Sequence, residues 1–279
     1  MRGAELREAL RKGERVYGVG VEGYVQPRWP RFFANRGLDF VFLDTEHAPL
    51  DRMQQAWAVQ TYAAHGIAPL LRIPEASPSR AAQAMDAGAH GIVVPYMETV
   101  AQVKKVAGAV RYRPFRGLQL DDVMNGERLP SAETEEYLQN VNHNNLLIIM
   151  IESQTGLNNL DALLAIGGVD GVLIGPNDLS ISLGIPDQTS HPLFSDAVKT
   201  VIEAGRKHNV GVGVHFCQKD IETEMRWIDW GCNLIIHLTD TLMIAYGIEK
   251  GLDALRAHTG DQRYEGAPEG KPTTGGHAI

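Results

Sequence analysis

Eight short apolar runs alternate with longer helical patterns along the 279 residues, a rhythm that predicts an α/β chain closed into a single (β/α)8, or TIM, barrel. Most runs are apolar throughout, as parallel strands covered on both faces are. The length also fits, because one such barrel takes about 250 residues. An open doubly wound sheet competes, but the glycine-rich dinucleotide turn it usually carries is missing after the first run. Residues 1–257 are assigned to the barrel and 258–279, rich in Gly, Pro, Thr and charge, to a solvated tail outside it.

Strands are expected at 16–20, 39–43, 68–73, 91–94, 146–151, 171–174, 211–215 and 233–237. Helical patterns lie between them, as at 51–64 and 192–208. Ser77 and Pro78 offer an N-cap followed by proline at the first helical position, and Gly88 closes that helix. Segment 111–130 breaks the rhythm and reads as an irregular loop of a length that is usually functional or disordered.

Composition narrows the function classes. Lys and Arg total 26 against 34 Asp and Glu, a net charge of −8, the wrong sign for a nucleic-acid or anionic-membrane partner. No apolar run is long enough to span a bilayer, and the first residues, MRGAELREALRKGE, lack an apolar signal core. Cys217 and Cys232 form neither a disulfide framework nor a zinc-site spacing. A cytoplasmic protein acting on a small molecule is expected.

In this fold the active site lies at the C-terminal mouth, so the residues that follow strands matter most. Strand two leads into Asp44-Thr45-Glu46-His47, strand three ends in Arg72, strand five runs into Glu152, and strand six into Gly175-Pro176-Asn177-Asp178. Two acids, an arginine and a histidine thus converge from four strands. Glu152 and Asp178 suit a hard divalent cation bound through oxygen; the alternatives are acids at helix starts or a glycosidase-like acid/base pair. Arg72 either stabilises a developing oxyanion or pairs structurally with Asp44 or Glu46. His47 has the ordinary pKa for proton transfer near neutrality, and Asp44 or Glu46 either orients it or caps a helix. The GPNDLS turn opens a short helix whose free amides suit a carboxylate. None of the eight lysines falls on a strand; only Lys219 lies near a mouth, which disfavours a Schiff base.

The segments LDTEHAPLD (43–51), LLRIP (70–74), MDAGAHGIVVPYMET (85–99), IESQTGLNNLDALLAIGGVDGVLIGPNDLS (151–180) and LGIPDQTSHP (183–192) resemble the HpcH/HpaI family of class II pyruvate (2-oxo acid) aldolases. The similarity runs from about 6 to 256. It implies a divalent cation (Mg2+, Mn2+ or Co2+), pyruvate as the nucleophilic half of an aldol reaction, and a homo-oligomer, a hexamer by family pattern. Glu152 and Asp178 match the metal ligands, Arg72 the enolate-stabilising arginine and His47 the catalytic histidine. The amides of Asn177 and Asp178, after Gly175, match the carboxylate-binding pair. Asp44 matches an acidic mouth residue and Asp86 the aspartate paired with the histidine. Two departures bear on the pocket: Met150 stands where a glutamine is common, and Gly213 where a bulky aliphatic residue is.

The expected activity is metal-dependent, reversible cleavage of a 4-hydroxy-2-oxo acid to pyruvate and an aldehyde. Decarboxylation of oxaloacetate or a condensation through the same enolate is the first alternative, and a non-catalytic small-molecule-binding barrel the second. Asp86 is the awkward match. It ends the helix after strand three, at the N-terminal face and on the order of 20 Å from His47. It therefore has a structural task or, the favoured reading, serves the site of a neighbouring subunit.

Overall fold

Each apolar run forms a strand parallel to the next, and the eighth returns to the first, closing the expected barrel. This computed structural model describes residues 1–217 and 220–261. The strands are β1 (Val16–Val21), β2 (Phe40–Asp44), β3 (Ala68–Arg72), β4 (Gly91–Val94), β5 (Leu146–Ile151), β6 (Gly171–Ile174), β7 (Gly211–Phe216) and β8 (Leu234–Thr239). The helices are α1 (Gly3–Arg11), α2 (Pro30–Phe33), α3 (Arg52–Ala64), α4 (Pro78–Ala87), α5 (Val100–Arg111), α6 (Gly117–Asn125), α7 (Ala132–Asn142), α8 (Gln154–Ala165), α9 (Pro176–Ser182), α10 (Pro192–His208), α11 (Ile221–Trp230) and α12 (Asp240–Thr259). Ser77 caps α4 and Gly88 closes it at φ 102°, as its sequence signals indicate.

The strands bury both faces. Their outer side chains join those of the helices in one large cluster, while Phe40, Phe42, Leu70, Val93, Leu146, Ile148, Met150, Leu173 and Ile236 belong to a second cluster filling the barrel. Inner positions follow the two-residue pleat, and continuing it explains the site. Phe40 and Phe42 lead to Asp44, Ala68 and Leu70 to Arg72, and Ile148 and Met150 to Glu152. The apolar rungs thus aim the polar residues into the mouth. Glycines make room for the large residues: a Cβ at Gly18 would lie 2.5 Å from the Phe40 ring, and one at Gly91 would lie 2.7 Å from Leu70.

Three regions differ from the sequence reading. The N-terminal stretch that reads as merely charged forms α1, whose Leu6, Ala9 and Leu10 make one buried stripe that reaches the inner cluster. Beneath the barrel, fully buried Asp170 ties Arg7 of α1 to Arg111 of α5. Segment 111–130 is not an irregular loop throughout, because it holds α6; Leu120 and Met124 pack where Gly108 of α5 lacks a side chain. The last helix runs through His258 and Thr259, past the expected boundary at 257. The remainder of the expected tail, from 262, lies outside the described residues.

Helix α12 is unusual in burying only Asp240, leaving Ile244, Ile248, Leu252 and Leu255 exposed at helical spacing. No helix among the described residues is long and apolar enough to cross a membrane.

Candidate active site

Arg72, the last residue of β3, is 6% exposed and held on two sides. Its Nε donates to Asp44 Oδ1 at 2.9 Å and its Nη2 to Asp44 Oδ2 at 2.5 Å, while Nη1 lies 3.2 Å from Glu46 Oε2. The structure thus shows both of the pairings weighed for this arginine. A fork fixed by two carboxylates has a defined direction, so pairing and oxyanion binding are compatible. Burial opposes the charge on each partner, but their mutual hydrogen bonds outweigh it; Asp44 is held below the usual carboxylate range and Arg72 above its own. Asp44 also accepts from the amides of Glu46 (2.9 Å) and His47 (3.4 Å), tightening the turn that carries the histidine. The His47 ring is 3.9 Å from Glu46 Oε2.

Glu152 follows β5 and Asp178 lies in the first turn of α9. Tyr96, just after β4, links them: its amide donates to Glu152 Oε2 at 2.9 Å and its hydroxyl to Asp178 Oδ1 at 2.5 Å. Tyr96 adopts φ 49°, a left-handed conformation uncommon for a bulky residue, which aims both donors at the carboxylates. Sequence reasoning missed it, although a polar side chain two residues past a strand was the available signal. Glu152 rests against Gly175, where a Cβ would stand 2.3 Å from Oε1. Gly175 is therefore required by the carboxylate beside it. No side chain caps α9, and its first helical hydrogen bond runs from Leu179 to Gly175, so the amides of Asn177 and Asp178 have no carbonyl partner inside the helix.

The donor set fits a divalent cation. Asp44 and Glu46 flank Arg72, while Glu152 and Asp178 form no ion pair among the described residues. Burial, together with Asp178 and Glu46, pushes Glu152 up to about 7 despite the Tyr96 amide and Arg72. Burial raises Glu46 as well. Among the described residues no group of three or more His, Cys, Asp or Glu has metal-holding geometry. Two carboxylates with water and substrate oxygens would complete the coordination of a hard cation.

Asp86 stands apart from this group in the same chain. It ends α4 at the opposite face, 2.6 Å from Arg113 Nη2 and 4.0 Å from Arg116 Nη2. Of the two departures, Met150 lies one pleat beneath Glu152. Gly213 does not line the mouth. It lies one pleat below His215, and a Cβ there would be 1.9 Å from the Leu234 carbonyl oxygen, so close packing demands the glycine. Lys219 and Lys271 lie outside the described residues; the other lysines are on helices or, for Lys12, at a helix cap.

The far side of the mouth carries groups the sequence reading passed over. His215 of β7 is buried, its Nε2 3.3 Å from Cys217 Sγ. Burial, with Arg72 nearby, pushes its pKa down to about 4, and burial pushes the Cys217 thiol up to about 12. Glu22, just past β1, is pushed up to about 7 by burial and by Asp44 and Asp240. Asp240 accepts from the amides of Glu22, Gly23 and Tyr24, pinning that turn.

The family profile "HpcH/HpaI aldolase/citrate lyase" matches residues 26–236. A 2-keto-3-deoxy-L-rhamnonate aldolase of Shigella sonnei is 32% identical over 267 residues, covering 94% of this chain and 97% of that protein. An HpcH/HpaI aldolase/citrate lyase family protein of Burkholderia cenocepacia superimposes with a TM-score of 0.77 at 27% identity, over 91% of this chain and 99% of that one. Citrate synthase SbnG does so at 0.76 and 27%, over 92% and 98%. The breadth of the profile match and the near full-length identity place this chain in the HpcH/HpaI aldolase/citrate lyase family, as a class II pyruvate aldolase.

Proposed function

We propose that the substrate is a 2-keto-3-deoxy sugar acid, cleaved reversibly between C3 and C4 to pyruvate and a hydroxylated aldehyde. The observation that carries the enolate chemistry is the guanidinium of Arg72, clamped by Asp44 and Glu46 in the same mouth as the Glu152–Tyr96–Asp178 group, and the sugar acid is the substrate named for the 32% identical relative. A divalent cation, Mg2+ being the one family members bind, would be held by Glu152 and Asp178 and would supply Lewis-acid polarisation of the 2-oxo group. Arg72 holds the oxygen on which negative charge develops. The amides of Asn177 and Asp178 hold the substrate carboxylate. His47 moves the proton of the 4-hydroxyl, and Asp44 fixes both Arg72 and the His47 turn. Tyr96 keeps the two ligand carboxylates in position.

The test is pyruvate release from 2-keto-3-deoxy-L-rhamnonate, with and without chelator. Release that stops on chelation and returns with Mg2+, Mn2+ or Co2+ is expected. Undiminished release in excess chelator overturns the metal assignment. The likeness to citrate synthase SbnG supports the decarboxylating or condensing alternative: pyruvate formed from oxaloacetate alone would mark decarboxylation, and loss of oxaloacetate only with an added acyl donor would mark condensation. The exposed apolar stripe of α12 supports a homo-oligomer, which sedimentation checks; a role for Asp86 in a neighbouring site requires the Arg113 pair to face that subunit.

A further inference from the structure

We propose that His215 is a specificity-determining residue of this site, whose imidazole hydrogen-bonds a hydroxyl group on the aldehyde half of the substrate. The inference rests on the aldolase reading above and adds a residue to it.

Register places His215 among the reacting groups. Ile151 pairs with Ile174, and Ile174 with Val214, so the next residues on the three strands, Glu152, Gly175 and His215, form one row. The middle member has no side chain, and the Glu152 carboxylate leans over it. The imidazole therefore stands two strands from a ligand carboxylate, with about 10 Å between their backbones. Phe42 provides a common floor: its ring centroid is 5.0 Å from that of His215 and 5.3 Å from Arg72 Cζ. The guanidinium and the imidazole thus stand on one aromatic ring.

Two strands, β1 and β8, depart from regularity around this side chain. On β1, Gly20 leaves it space, because a Cβ there would be 3.2 Å from Nε2 and 2.9 Å from Thr239 Cγ2. Pairing between β1 and β8 slips between Gly18 and Gly20, where Leu238 takes φ 56°.

The chemistry selects the ligand. The ring is uncharged at neutral pH, so it offers one donor and one acceptor but no charge. A carboxylate or phosphate calls for a cation; a hydroxyl matches a neutral imidazole. Nε2 has the Cys217 thiol as its neighbour, a weak partner that a hydroxyl displaces readily. The substrate carboxylate, 2-oxo group and 4-hydroxyl already have partners in the proposed mechanism, which leaves the hydroxyls beyond C4.

The test compares pyruvate addition to glycolaldehyde and to acetaldehyde, which differ by that hydroxyl. The full-length protein should favour glycolaldehyde in kcat/KM by about tenfold or more. His215→Leu should erase most of this preference, chiefly through KM for the aldehyde, and His215→Asn should restore part of it. Absence of the preference in the unmodified protein, or an equal loss for both aldehydes in His215→Leu, overturns the assignment. Addition to neither aldehyde, with pyruvate methyl protons still exchanging with solvent, would show that the aldolase reading itself had failed.

Discussion

The two arcs of the barrel mouth differ in the partners they give to buried ionisable groups. On the arc from β2 to β6, Arg72 is gripped by Asp44 and Glu46, and Glu152 and Asp178 share Tyr96, although burial still raises Glu46 and Glu152. On the arc from β7 through β8 to β1, the charged forms of His215, Cys217 and Glu22 are all disfavoured, burial being the first cause for each. Both arcs stand on the same apolar rungs, so overall burial does not separate them. The two-bond Arg72–Asp44 pair does. The first arc holds the fixed charge of Arg72 and offers carboxylates to a cation, and the second contacts neutral parts of a ligand.

Changes on the charged arc should have the largest effects. Arg72→Lys keeps the charge but loses the planar fork held by Asp44. It should reduce kcat by about 10²–10³, or roughly 3–4 kcal/mol, with a smaller change in pyruvate binding. Steady-state kinetics of the aldol reaction check this, and near-normal kcat would mean that the fork does not meet the developing charge.

Acid stability tests the neutral arc. The folded pKa of His215 is depressed to about 4 from an ordinary 6.5, so between those values the unfolded chain takes up a proton that the folded chain does not. Its contribution to stability is complete above about pH 6.5 and is lost as pH falls toward 4, on the order of 3 kcal/mol in all. Urea unfolding at pH 7.5 and pH 4.5 should show a smaller acid loss for His215→Leu than for the unmodified protein. Identical losses would show that the ring is not held neutral.

Gly175→Ala should push the Glu152 carboxylate aside, because the new methyl would stand 2.3 Å from Oε1. Metal affinity measured by calorimetry should fall about 10–100-fold while the fold survives. Tyr96→Phe removes only the hydroxyl bonded to Asp178 and should cost about tenfold in the same measurement. An unchanged affinity in Tyr96→Phe would confine this tyrosine's contribution to its backbone amide.

The elements legible in the sequence are those specified by local pattern. All eight strands are found within two residues of their expected limits, and Ser77, Pro78 and Gly88 bound α4 as their backbone preferences dictate. Helix α6 was hidden because its helical pattern is short and its packing partner, Gly108, belongs to another helix. Arg72, Asp44, Glu152 and Asp178 were legible because barrel geometry sends the residue after each strand to the mouth. Tyr96 was less so: its contribution depends on a left-handed backbone angle and on two carboxylates from other elements.

By itself the sequence determined the barrel, the order of its strands and the identity of the charged groups that meet at the mouth. Apolar run length, turn residues and pleat parity are properties of a few neighbouring residues, so they can be read without the fold. The tertiary structure decided which of those groups are paired and which are kept neutral. His215 is silent in the string GVGVHF; the floor of Phe42, the gap over Gly20 and the turned backbone of Leu238 come from three other strands. Electrostatic character depends on distance and burial, and only closure of the barrel sets those for residues far apart in the chain.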